Sequence, residues 1–199
     1  MKPSDLQLCV DLNWSAVKYP CIVEPKIDGF RCLVTVDDDG TVRAFSRSGT
    51  EWPKVAAALH ELSRFRGAWL DGELVIGDSW ATTNAAFKRG EFDPDTLHLY
   101  VFDGTEDARQ YIWFADFPRI SSILGRWCGT RSDIEREYNA ALKRGHEGIV
   151  VKRLGATYRA GRSGQWMKLK PNDTTDLFGD GAWREMQGGE IVRVREYDR

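Results

Sequence analysis

The chain has 199 residues, 42% of them apolar and 29% charged, with a formal net charge of -2. That is enough apolar material for one sizeable domain, with room for a small appendage, to fold around a core of its own. The four cysteines (Cys9, Cys21, Cys32, Cys128) are scattered without a C-x-x-C pair, which excludes a zinc ribbon or a disulfide framework and fits a reducing compartment. No apolar run is long enough to cross a membrane, and the opening MKPSDLQLCVDLNW lacks the basic-then-apolar layout of a signal peptide, so a soluble cytoplasmic protein is expected.

In chain order, CIVEPKIDGFRCLVTV (21–36) alternates as a strand, Asp37 to Gly40 form a turn, and TVRAFSR returns as its hairpin partner. The aspartate trio reads as a hairpin tip, with a metal loop as the alternative, although its spacing is not that of a calcium loop. Pro53 opens a helix over WPKVAAALHELSRF. Strands are predicted at AWLDGELVIG and TLHLYVFDG, with a short helix around NAAFKRG between them. Residues 106–127 are rich in aromatics, assigned mostly to the core, and Pro118 interrupts any continuous helix there. Ser132 and Glu135 fit an S-x-x-E capping box for a helix that stops at Gly145. Strands GIVVKRL and QWMKLK follow, and the last 29 residues give a polar loop and one strand, GGEIVRVREYD. The pattern is α+β.

An acidic net charge sits poorly with a nucleic-acid partner, because lysine and arginine supply most non-specific affinity for phosphate. Basic residues nonetheless gather between Lys143 and Lys170. That stretch reads either as a solvated face or as a phosphate-binding one.

Chemistry concentrates in ordered segments: Lys26-Ile-Asp-Gly-Phe-Arg31, Ser46-Arg47-Ser48-Gly49, Asp71-Gly72-Glu73-Leu74, Tyr100-Val101-Phe102-Asp103, Glu147-Gly-Ile-Val-Val-Lys152 and Trp166-Met167-Lys168-Leu169-Lys170. Together they resemble motifs I, Ia, III, IIIa, IV and V of the covalent nucleotidyltransferase superfamily, which holds ATP-dependent DNA ligases, RNA ligases and messenger-RNA capping enzymes. The likeness runs from about Glu24 to Lys170 and is strongest to the small DNA ligases of bacteriophages. It implies an ATP-grasp-like adenylation domain of two antiparallel sheets with flanking helices over residues 1–171. Residues 172–199 would then be a linker and the first part of an OB-fold domain that is cut short or completed by another polypeptide.

The resemblance makes Lys26 the residue that carries AMP. An amine attacks phosphorus only when neutral, and an ordinary lysine, with a pKa of about 10.4, is almost wholly charged near neutrality. Lys168 and Lys170, alternating on one strand, would favour the neutral amine and offset charge on the transferred phosphoryl group. Without motif I they would read as solvated strand lysines. Asp28 and Glu73 complete the catalytic set, with Glu73 also on the ribose. Mg2+ falls to Glu73 and Glu147. Adenine stacks between Phe102 and Val150, although composition alone would put Phe102 in the core. By the same resemblance, Glu24 would accept from the adenine amino group or otherwise line the base site, and Ile27 would line the nucleotide site. Arg31 and Arg47 engage the nucleotide and the phosphate of the nicked strand, as does Arg162. His146 reads as a helix-end residue.

The implied partner is nicked duplex DNA, met by a monomer in the cytoplasm, or the host cytoplasm if phage-encoded. Arginine at the end of motif I speaks against a phage-type RNA ligase, and a tryptophan ahead of the lysine pair against a capping guanylyltransferase. A non-catalytic remnant that binds nicked DNA would have no use for Lys26 and its company.

Overall fold

The computed structural model describes residues 1–114, 117–171, 182–187 and 190–196. Its strands are β1 (Gln7–Asp11), β2 (Cys21–Lys26), β3 (Phe30–Val36), β4 (Val42–Ser46), β5 (Trp69–Ile76), β6 (Leu97–Gly104), β7 (Ile120–Ser122), β8 (Arg126–Cys128), β9 (Gly148–Arg153), β10 (Gly161–Leu169), β11 (Ala182–Gln187) and β12 (Glu190–Glu196). The α-helices are α1 (Pro53–Ala58), α2 (Trp80–Arg89), α3 (Glu106–Phe114) and α4 (Arg131–Lys143). No helix among the described residues is long and apolar enough to cross a membrane. All four cysteines are free.

Two compact units emerge, the first formed by residues 1–6 and 28–123, the second by 7–27 and 124–199. The first holds a five-stranded sheet in the order β4-β3-β5-β6-β7. One face, with Cys32, Val34, Leu70, Leu74, Leu99 and Val101, packs into a core with Val55, Leu59, Leu62 and Ile112. α2 is held at its start by Ser79, whose side chain accepts from Thr82 N–H, and at its end by Gly90 in a left-handed conformation with φ 71°.

The second unit carries the sheet β1-β10-β9-β2-β8. Cys21, Val23, Ile149, Val151, Met167 and Leu169 alternate onto its apolar face, where Ile134, Tyr138 and Ala141 of α4 meet them. β11 and β12 pair with each other in an antiparallel ribbon.

The expected α+β class holds, with corrections. Neither large sheet is wholly antiparallel, since β1 pairs with β10 and β6 with β7 in parallel. The predicted continuous strand 21–36 is two strands in two sheets, broken at Ile27-Asp28-Gly29. A Cβ at Gly29 would lie 2.4 Å from the Leu74 carbonyl oxygen, so only glycine lets the backbone pass there. The helix opened by Pro53 tightens after Ala58 into a 3-10 segment, His60–Arg64. α4 starts earlier than the capping box at Ser132 implies: Thr130 is the cap, and Asp133 Oδ2 accepts from Gly129 N–H, Thr130 N–H and the Thr130 hydroxyl. The aromatics of 106–127 are mostly not core. Phe117 is buried, but Tyr111, Trp113 and Trp127 are exposed, Trp127 by 64%. The C-terminal stretch holds two strands instead of one.

Candidate active site

The polar face of the second unit's sheet is written by strand register. Directly opposed residues share a face, so the pairings Glu24 with Val150, Val150 with Lys168 and Lys168 with Asp11 form one row. Ile22, Lys152 and Trp166 form the next row, and Lys26 stands opposite Gly148. All lie on the side away from the core contributed by Val23, Val151 and Met167.

At the end of that face, Glu147 is held between two lysines. Its Oε2 accepts from Lys26 Nζ, and its Oε1 is paired with Lys170 Nζ. The backbone reinforces the arrangement, because Glu147 N–H donates to the Lys26 carbonyl at 3.1 Å. Burial would raise the Glu147 pKa, but hydrogen bonds from Lys170 and Lys26, with their charges, outweigh it and hold the carboxyl below the ordinary carboxylate value. Gly148 makes the turn into β9 feasible, since a Cβ there would lie 2.0 Å from the Leu169 carbonyl oxygen.

Lys168 is placed differently from Lys170. Its ammonium lies 2.8 Å from Asp11 Oδ1, and it holds the Asp11 carboxyl below its usual range, first by hydrogen bond and then by charge. Glu24 is nearly buried and pairs with Lys152 at 2.7 Å. Val150 is half-buried, and Arg162 is exposed on β10. His146 sits in the turn after α4, where its N–H donates to the Ala141 carbonyl at 3.0 Å, in keeping with a helix-end residue. Burial pushes its imidazole pKa down, and Arg144 adds to the effect.

The first unit positions its own motif residues. Arg31 Nε and Nη2 donate to Asp71 Oδ1 and Oδ2, each at 2.5 Å, a bidentate pair whose carboxylate is fully buried. The same guanidinium lies 4.5 Å above the Phe102 ring, and Glu73 is the cross-strand neighbour of Arg31. Phe102 is half-buried and is not among the core residues. Arg47 is exposed in the turn after β4, Asp28 is exposed beside the break in the strand, and Ile27 is half-buried there.

The structure thus gathers Lys26, Glu147 and Lys170 in one cluster and Arg31 with Phe102 in another. Sequence reasoning assigned nothing to Asp11, Asp71 or Lys152. Asp71 and Lys152 stand inside the motif strings, at the start of Asp71-Gly72-Glu73-Leu74 and the end of Glu147 to Lys152. Asp11 lies outside every motif, and only its pairing with β10 reveals it.

Two lysines thus flank one carboxylate at the rim of a sheet whose other face is core. The family description "ATP dependent DNA ligase domain" matches residues 119–170. The multifunctional non-homologous end joining protein LigD of Pseudomonas aeruginosa is 33% identical over 166 residues, covering 74% of this chain and 20% of that protein. A probable DNA ligase of Saccharopolyspora erythraea is 34% identical over 181 residues, covering 78% of this chain and 34% of that protein. The Chlorella virus DNA ligase-adenylate shares the fold at a TM-score of 0.67 and 22% identity, with 94% of this chain and 82% of that one covered. The ATP-dependent DNA ligase of bacteriophage T7 in complex with ATP gives a TM-score of 0.65 at 20% identity, covering 86% and 69%. The chain is similar in sequence to ATP-dependent DNA ligases and shares the fold of the solved ones. It spans 20% to 34% of the length of the two curated relatives named.

Proposed function

We propose that the chain takes AMP from ATP onto Lys26 and serves the sealing of nicked DNA. The observation that carries this reading is the Lys26, Glu147, Lys170 cluster on the polar face of the sheet. In the first step Lys26 Nζ bonds to the α-phosphorus, the bond to pyrophosphate breaks, and Nζ gives up a proton. An ammonium has no lone pair, so Lys26 must first leave Glu147 and lose a proton to water; the neutral amine then attacks and loses a second proton as the nitrogen–phosphorus bond forms. Lys170 remains to balance Glu147 and to meet charge growing on the phosphoryl oxygens. AMP then passes to the 5'-phosphate at the nick, freeing Lys26, and the 3'-hydroxyl displaces AMP as the strand closes.

Among the described residues, no three His, Cys, Asp or Glu side chains cluster in a way that could hold a metal. That composition still suits Mg2+, which keeps several waters and needs only one or two carboxylates beside substrate phosphates. Glu147 is the fitting ligand: once Lys26 Nζ becomes the uncharged nitrogen of a phosphoramidate, one carboxylate oxygen would lose a cationic neighbour. When bound, Mg2+ supplies charge neutralisation on the phosphate oxygens. By resemblance, Glu73 serves ribose and metal, Phe102 and Val150 the adenine, and Asp28, Arg31, Arg47 and Arg162 the nucleotide and nicked strand. Lys168 is assigned to phosphate charge, in competition with Asp11. Residues 1–171 are assigned to the adenylation domain, and the β11–β12 ribbon to the beginning of an OB-fold.

The test is self-labelling with α-labelled ATP and Mg2+. Label should survive denaturation in the wild-type chain and vanish in Lys26→Ala. Its absence from the wild type, with or without nicked DNA, refutes the enzyme reading in favour of a binding remnant. Label from GTP but not ATP identifies a capping-type activity, and sealing of RNA nicks alone an RNA ligase.

A further inference from the structure

Further along the polar face that carries Lys26 lies a second ion pair, and its burial calls for a reason. Lys152 Nζ is 2.7 Å from Glu24 Oε2, with side chains only 12% and 10% exposed. The ammonium also sits 4.2 Å from the centroid of the Trp166 ring. Tyr158 meets that ring edge-on, at 5.6 Å between centroids. Tyr158 is itself fixed, because its hydroxyl accepts from Gln7 N–H at 3.0 Å. Gln7 is fully buried, and its amide oxygen takes the Arg159 N–H at 2.6 Å.

A buried ion pair is a poor device for stability, since an apolar pair of similar volume often does as well or better. The opposite face of this sheet already supplies the core. Gly125 adds an independent sign. A Cβ there would stand 2.3 Å from Ile22 Cγ2 and 3.3 Å from Glu24 Cγ, so only glycine leaves the Glu24 side chain its place on the β8 side, while Lys152 holds it from the β9 side. Two neighbours and a stack of rings therefore fix one carboxylate.

We infer that Lys152, seated on Trp166, is a specificity-determining positioning residue for the nucleotide base. It holds the Glu24 carboxylate in one orientation, offering a fixed acceptor. Such an acceptor takes a purine with an amino group at position 6 and repels one with a carbonyl there. A carboxylate without that brace would turn and present its oxygens in more than one direction, so loss of Lys152 relaxes discrimination as well as affinity. The inference rests on the reading of Lys26 as the nucleotide carrier and of Glu24 as a base-site residue.

The experiment is self-labelling of the 199-residue chain with α-labelled ATP or GTP over a concentration series. Lys152→Met should raise the half-saturating ATP concentration by about tenfold or more and cut the ATP preference over GTP by about tenfold. The labelling rate at saturation should stay within about threefold. Lys152→Arg should retain the preference, and Lys152→Met with Glu24→Gln should be no worse than Glu24→Gln alone. Unchanged half-saturation and preference in Lys152→Met overturns the inference and leaves the Lys26 reading intact. A wild-type chain that takes no label overturns both. If Lys152→Met does not fold, as judged by circular dichroism, Trp166→Phe decides: a smaller shift in the same direction supports the inference, and none overturns it.

Discussion

Replacing Arg31 by methionine keeps most of the side-chain volume and removes the guanidinium from above a fully buried carboxylate. Asp71 would then hold its charge without the two 2.5 Å bonds it now accepts. Breaking such a pair by removing one member costs about 3–5 kcal/mol, because the remaining charge is stranded away from water. For a chain of this size each kcal/mol moves the melting temperature by about 2–4 °C. Arg31→Met should therefore melt roughly 6–20 °C below the wild type near neutral pH. The double variant Arg31→Met with Asp71→Asn should recover much of the loss, whereas Arg31→Lys, which cannot make the two-pronged contact, should recover less. Thermal melts followed by circular dichroism near neutral pH would measure all four proteins. If Arg31→Met melts within about 1 °C of the wild type, and the double variant with it, the pair is not what holds Asp71 in place.

Two further outcomes concern the lysine-flanked carboxylate and the turn beside it. The Glu147 carboxyl is held below its ordinary value in the folded chain, so its contribution is present above the unfolded value of 4.5 and is lost as pH falls through the folded one. Wild type and Glu147→Gln should thus differ in melting temperature at neutral pH and converge in acid, and a difference that persists well below pH 4.5 would contradict this. Gly148→Ala should destabilise by about 3 kcal/mol or more, since its Cβ meets the Leu169 carbonyl oxygen. Gly145→Ala, at φ 82° with open space around it, should cost only about 1–2 kcal/mol, and equal losses in denaturant titrations would sink the distinction.

Local pattern revealed most elements but not where they join. The run from Cys21 to Val36 keeps its alternation through Ile27, and its break depends on the Leu74 carbonyl beside Gly29, a contact more than forty residues away in the chain. β1 was invisible because QLCVD is short with polar ends, and its partner is β10. Two overlapping capping patterns, Thr130 with Asp133 and Ser132 with Glu135, both fit the sequence. Three donors converging on Asp133 decided between them. Tyr111, Trp113 and Trp127 misled because aromatic content says nothing about which side of α3, or which edge of a sheet, a ring will occupy.

The candidate site was more legible than its supports. Lys26, Glu147 and Lys170 could be named from motif strings, and they form one cluster. That Lys168 would turn to Asp11, that Arg31 would brace itself on Asp71, and that Lys152 would hold Glu24 could not be read, because each depends on strand register.

The same register constrains how this domain can change over generations. Glu24 and Lys26, Val150 and Lys152, Lys168 and the position of Lys170 are each two apart, which is the period of the pleat. Inserting or deleting one residue inside β2, β9 or β10 would exchange the charged side for the apolar one in a single event. Substitutions here can accumulate singly, whereas changes of length must fall between strands. The exposed corner at Leu154 and Gly155 can absorb an insertion, and the strands on either side of it cannot.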